Sequence, residues 1–344
     1  MIVIRADANA KIGTGHVMRC LAIAAALKTL GKEVCFIGAD AETADFLAKR
    51  DWQCLVLHSA YDRLEEELPL LTSLLLEKKA EVLLVDSYFV TEKYFQTLKK
   101  QVKTVYMDDL FSFPYPVDAL VNYNIYGALL PYEKEMPETE LYLGTEFVPL
   151  RQEFQNTEYA VRENATQVLI TTGGSDRYNL AGQLLETALA SAGTENLQFH
   201  VVSGSFNKNL PALKEIAEKH KNVQLHCDVK NMAELMLGCD IAVTAGGSTV
   251  YELCAVGVPV LCFSFVDNQE KIVETFAQQE LVAFGGNYLK DGSKMLKALT
   301  EKLAFLAADK TARESYSKKE RSLVDGQGAE RIARVLAGGG KITV

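Results

Sequence analysis

The chain has no apolar run long enough to span a bilayer, no C-x-x-C pair, no H-x-x-x-H pair and no run of basic residues. The first absence argues against stable membrane insertion, and an opening that goes straight into a strand pattern argues against a signal peptide. Seven cysteines (Cys20, Cys35, Cys54, Cys227, Cys239, Cys254 and Cys262) are scattered through apolar segments, and the five histidines form no cluster with them. An odd, unpaired set of this kind reads as reduced thiols of a cytoplasmic protein rather than a zinc site or a disulfide framework. Lys plus Arg number 36 against 45 Asp plus Glu, a net charge of −9. An acidic chain is poorly suited to nucleic acid or an anionic membrane surface.

What is present is an ordinary globular composition. It is 48% hydrophobic and 24% charged over 344 residues, enough for about two domains. Short β-branched runs at 2–6, 33–37, 54–57, 82–86, 104–107 and 119–122 alternate with helical patterns. A second series follows at 168–172, 198–202, 223–225, 241–244 and 259–265. Near-continuous apolar strands separated by helices predict two α/β, doubly wound Rossmann-like domains with parallel sheets, facing a ligand cleft. The polar stretch 151–164 places the boundary, giving domains of 1–153 and 154–344. The final helical pattern, DGQGAERIARVLA (325–337), is counted with the second, although periodicity does not say which half it packs on.

Residues 5–21 read RADANAKIGTGHVMRCL: a strand end, a polar loop, then Gly13-Thr14-Gly15 leading into a helix. Met18 breaks the G-x-G-x-x-G spacing, so a nicotinamide site is not expected. His16 falls in the first helical turn with Arg19 on the same face. A histidine there often only packs a helix start. Here the glycines allow a ligand close to the backbone, and Asp7 shares the loop. An Asp7 carboxylate on one ring nitrogen would leave the other basic, suited to taking a proton from water.

The second half repeats the strand, glycine turn and helix pattern twice, as TTGGSDRYNL (171–180) and TAGGSTVYE (244–252). Amides at Ser248, Thr249 and Val250 would offer donors and a positive helix end to a diphosphate. Glu252, one turn on, is placed for a ribose diol, because side chains tilt toward the helix N-terminus. Asn268 and Gln269 could bond sugar hydroxyls. No D-x-D triplet is present to hold a divalent metal on a diphosphate, so neither metal nor cofactor is expected.

The ordered set RADANAKIGTGHVMRCL, VDSYFV (85–90), YMDDL (106–110), VNYN (121–124), PLRQEF (149–154), TTGGSD (171–176) and AGGSTVYELCAVGVPVLCFSFVDNQ (245–269) resembles one family. It is similar to the UDP-2,4-diacetamido-2,4,6-trideoxy-β-L-altropyranose hydrolases of pseudaminic acid synthesis and their spore-coat polysaccharide relatives. The resemblance covers residues 1 to about 270 and returns at VDGQGAERIA (324–333). It implies the two-domain glycosyltransferase-B fold and a UDP-sugar as the small-molecule partner. It also implies His16 as catalytic base, with Tyr88 and Asn268 in the sugar pocket. Residues Thr249 to Glu252 match the T-V-x-E of the peptidoglycan N-acetylglucosaminyltransferase, whose Glu binds the UDP ribose. The site expected on this basis has His16 and Asp7 as the catalytic pair. Arg5, Gly13, Gly15, Arg19, Tyr88, Asn268 and Gln269 meet the substrate, and Gly173, Gly174, Gly247, Ser248, Thr249 and Glu252 hold UDP.

The implied reaction is hydrolysis at the anomeric carbon with inversion. One base for the water suffices when helix-end amides stabilise the departing UDP. Three other readings stay open at this stage: a glycosyltransferase of the same fold, a hydrolysing UDP-amino-sugar 2-epimerase, and a non-catalytic binder of nucleotide sugars.

Overall fold

The computed structural model describes residues 1–9, 11–174, 176–204 and 207–338, and at 267 and 268 the backbone alone. It divides into two compact units, Met1–Arg151 with the segment from Gln327 onward, and Gln152–Gly326. The first holds strands β1 (Ile2–Ala6), β2 (Val34–Gly38), β3 (Cys54–Val56), β4 (Val82–Asp86), β5 (Lys103–Met107), β6 (Ala119–Asn122) and β7 (Glu140–Leu143). They form one parallel sheet in the order β3-β2-β1-β4-β5-β6-β7. β1 and β4 are buried along their whole length, as strands covered by helices on both faces must be.

The second unit holds β8 (Gln167–Thr171), β9 (Gln198–Ser203), β10 (Val223–Cys227), β11 (Ile241–Ala245), β12 (Val260–Ser264) and β13 (Ala283–Asn287). These also form a parallel sheet, in the order β10-β9-β8-β11-β12-β13. Each sheet is doubly wound, with one point where its strand order reverses: between β1 and β4 in the first, and between β8 and β11 in the second. Ligands of such sheets bind outside the carboxyl ends of the strands at these reversals. No helix among the described residues is long and apolar enough to cross a membrane.

Two features differ from expectation. Strands β7 and β13 have no counterpart in the sequence reading. The final helix, Gly328–Leu336, is not part of the second unit. It buries Ala329, Ile332, Ala333, Val335 and Leu336, and packs with the helix Gly15–Thr29 of the first unit. A Cβ on Gly328 would stand 2.2 Å from the Val148 carbonyl oxygen, so only glycine permits that approach. Arg331 Nη1 adds a hydrogen bond to the Glu146 carbonyl at 2.9 Å. Burying Ile332 and Leu336 stabilises the contact by about 1.5–3 kcal/mol each.

Candidate active site

The loop after β1 is built to deliver His16. Asn9 and Gly13 pair across it, with Gly13 N donating to the Asn9 carbonyl at 2.8 Å. Asn9 Oδ1 accepts from the Lys11 and Ile12 amides at 3.0 and 3.1 Å. Gly13 takes φ +78°, a left-handed value that most side chains resist. The helix Gly15–Thr29 then starts, with His16 as its second residue and only 6% exposed.

His16 Nδ1 lies 2.6 Å from Asp86 Oδ1, at the end of β4. Since a carboxylate only accepts, Nδ1 carries the proton, and in the neutral ring the lone pair is then on Nε2. Nε2 has no hydrogen-bond partner among the described residues. The pair stands at the β1/β4 reversal.

Behind the imidazole, Arg19 bridges two carboxylates. Its Nε and Nη2 donate to Asp86 at 2.6 and 2.5 Å, and its Nη1 to Asp109 at 3.0 Å and the Tyr123 hydroxyl at 2.9 Å. Asp109 also accepts from the Tyr88 hydroxyl at 2.8 Å and from Asn124 Nδ2 at 2.8 Å. The Tyr88 ring meets His16 edge-on at 4.6 Å. Burial works against ionisation of Asp86, but the Arg19 charge and the hydrogen bonds from Arg19 and His16 outweigh it and hold this carboxyl well below the usual range.

Three assignments from sequence are corrected here. Asp7 does not touch His16: its Oδ2 accepts from Arg5 at 2.6 Å and its Oδ1 from the Ala39 amide at 2.7 Å. Arg5 does not face a ligand, being 0% exposed and doubly bonded to Glu67 at 2.8 Å. Arg5 lies in β1 and Asp7 directly follows its last residue. Burial would lower the Arg5 guanidinium, but Asp7 and Glu67 reverse this and raise it. Arg19, expected to meet substrate, is instead committed to Asp86, Asp109 and Tyr123. The sequence reading assigned no role to Asp86 or Asp109, although VDSYFV and YMDDL each set a carboxylate at a strand end.

In the second unit, Gly173 and Gly174 follow β8, and Gly246, Gly247 and Ser248 follow β11, on either side of the β8/β11 reversal. Among the described residues, a Cβ at Gly173, Gly174 or Gly247 would meet nothing within 4 Å, as would one at Gly15 in the first unit. These turns therefore leave room for a ligand at the backbone. Gly247 caps the helix Ser248–Val256 without a side-chain bond. The Val250 amide donates to the Gly247 carbonyl at 3.1 Å, so of the three amides expected to be free, that one is already used. Thr249 and Glu252 are half-buried on this helix. Gln269 Oε1 accepts from the Phe265 amide at 3.1 Å and so fastens its own helix start. Asn268 lies in the first turn of the helix Asp267–Gln278, its side chain outside the described residues. No group of three or more His, Cys, Asp or Glu suited to a metal occurs among the described residues.

Residues 168–333 match the model for the glycosyltransferase family 28 C-terminal domain. The chain is 28% identical to the spore coat polysaccharide biosynthesis protein SpsG of Bacillus subtilis, across 96% of each chain. It is 27% identical to the UDP-2,4-diacetamido-2,4,6-trideoxy-β-L-altropyranose hydrolase of Campylobacter jejuni, over 81% of this chain and 96% of that one. Among solved structures it superposes on MurG of Acinetobacter baumannii with a TM-score of 0.71 at 12% identity, covering 98% and 99% of the two chains. That likeness speaks for the fold alone. The chain has the glycosyltransferase-B fold, and residues 168–333, just under half of it, match the glycosyltransferase family 28 C-terminal domain.

Proposed function

We propose that this protein hydrolyses the anomeric C–O bond of a UDP-sugar, UDP-2,4-diacetamido-2,4,6-trideoxy-β-L-altropyranose, giving free sugar and UDP with inversion. The observation that carries the reading is the 2.6 Å His16–Asp86 pair at the β1/β4 reversal, with Nε2 left as a base. The 27% identity to the Campylobacter hydrolase supports the choice of substrate. In this reading Nε2 takes a proton from water as the water oxygen attacks the anomeric carbon. The C–O bond to the diphosphate breaks and its electron pair leaves with UDP. Asp86 steadies the imidazolium, and the proton passes to solvent. Positioned base catalysis contributes roughly 10²–10⁴ in rate. The amides of Ser248 and Thr249, at a positive helix end, are donors suited to a diphosphate.

The test is the fate of ¹⁸O from labelled water. Attack at carbon puts the label in the anomeric hydroxyl of the free sugar and none in UDP. Attack at phosphorus puts it in the nucleotide or in a sugar phosphate, and either result would sink the proposal.

A transferase reading draws on the family 28 domain at 168–333. It requires that no free sugar appear until an acceptor is added.

Glu252 offers a separate check on the nucleotide side. On this reading its carboxylate binds the ribose diol, equally in ground and transition states. Glu252→Ala should therefore raise KM and the UDP dissociation constant about tenfold or more, with kcat within about twofold. A lower kcat at unchanged KM would place Glu252 in the chemistry instead.

A further inference from the structure

The first unit leaves large apolar side chains partly exposed in three loops at the carboxyl edge of its sheet. Tyr88 and Phe89 follow β4, Leu110 follows β5, and Leu129 follows β6. These strands are neighbours, so the loops run side by side, starting from the strand that ends in Asp86. Phe89 is 38% and Leu110 46% exposed. Each directly follows a member of the polar cluster, since Tyr88 and Asp109 are joined by a 2.8 Å hydrogen bond.

Neither side chain hangs on a slack loop. Asp108 accepts from the Leu110 and Phe111 amides at 3.1 and 2.8 Å, and the Tyr126 hydroxyl donates to the Asp109 carbonyl at 2.9 Å. The Phe89 amide donates to Ser87 Oγ at 3.2 Å, and the Tyr61 ring packs edge-on against Phe89 at 5.5 Å. Apolar groups fixed in water beside convergent polar groups are the usual makings of a binding surface.

We propose that Phe89 and Leu110 set sugar specificity at the His16 site by contacting the methyl groups of a 6-deoxy, N-acetylated sugar. This inference rests on the hydrolase reading and deepens it. A 2,4-diacetamido-2,4,6-trideoxy sugar offers methyls at both acetamido groups and at C6. UDP-N-acetylglucosamine puts a hydroxyl at C4 and a hydroxymethyl at C5 in place of two of them. Those hydroxyls would lose water against Phe89 and Leu110 without gaining a partner. Each methyl-sized difference in an apolar pocket is worth about 10–200-fold in discrimination.

The test compares the wild type with Phe89→Ala and Leu110→Ala, both at exposed positions, with thermal unfolding to verify the fold. Dissociation constants and kcat/KM are measured for the UDP-diacetamido-trideoxy sugar and for UDP-N-acetylglucosamine. Each variant should lose about tenfold or more toward the methyl-bearing sugar, change less than about threefold toward UDP-N-acetylglucosamine, and bind UDP unchanged. Equal losses for both sugars, or none, overturn the inference. If the wild type releases free sugar from neither, the hydrolase reading fails. The dissociation constants then decide the inference alone: a preference for the methyl-bearing sugar that collapses in the variants supports it, and a ratio that does not move overturns it.

Discussion

Replacing His16 with alanine should lower kcat by about 10²-fold or more while leaving UDP affinity within about twofold. The two effects separate because the imidazole belongs to the first unit and the glycine turns proposed for UDP belong to the second. Steady-state turnover of the UDP-sugar and calorimetric titration of UDP measure them independently. The ring is nearly buried, so the variant also loses some packing, which a melting curve would register without explaining a loss in kcat. A fall of less than about tenfold would remove His16 from the role of base.

Asp86→Asn should cost still more of the organisation, and its effect is double. An amide can offer an N–H to Nδ1, which then accepts, and the proton moves to Nε2, the wrong nitrogen for a base. Loss of the carboxylate behind a catalytic imidazole lowers kcat on the order of 10³–10⁴ where it has this role. The same change strips a charge from the Arg19 bridge, and breaking one side of a buried ion pair costs about 3–5 kcal/mol. Turnover of the folded variant, its chemical unfolding and the NMR tautomer of His16 separate the two. A large stability loss with kcat within about tenfold would leave Asp86 as a partner of Arg19 only. The pH dependence has a definite sign. Asp86 is held below its unfolded value, so its contribution is fully present above about pH 4 and fades as the solution is acidified. The stability gap between wild type and Asp86→Asn should narrow in that acid range.

Most strands were legible because buried parallel strands are apolar on both faces: β1, β4, β11 and β12 are buried throughout. β7 (ELYL) is short and opens on an exposed Glu140, and β13 (AFGGN) carries two glycines, which have little strand preference. His16 was legible from its glycine turn. Its partner was not, because nearness along the chain favours Asp7, whereas the register sets Ala6 beside Asp86. Only the strand order, with β4 next to β1, brings a carboxylate from residue 86 to the helix start at residue 15. Arg19 misled for a related reason, since its two carboxylate partners lie 67 and 90 residues away.

The return of the helix Gly328–Leu336 to the first unit sets an order on folding during synthesis. Every residue of the second unit leaves the ribosome before the segment that completes the first. The usual sequence, in which the N-terminal domain folds first, is therefore inverted at its last step. The second unit can close as one continuous stretch, while the helix Gly15–Thr29, with His16 in its first turn, waits for its packing partner until some three hundred more residues have been made. The helix that carries the proposed base is thus made before the second unit and gains this packing partner only after it.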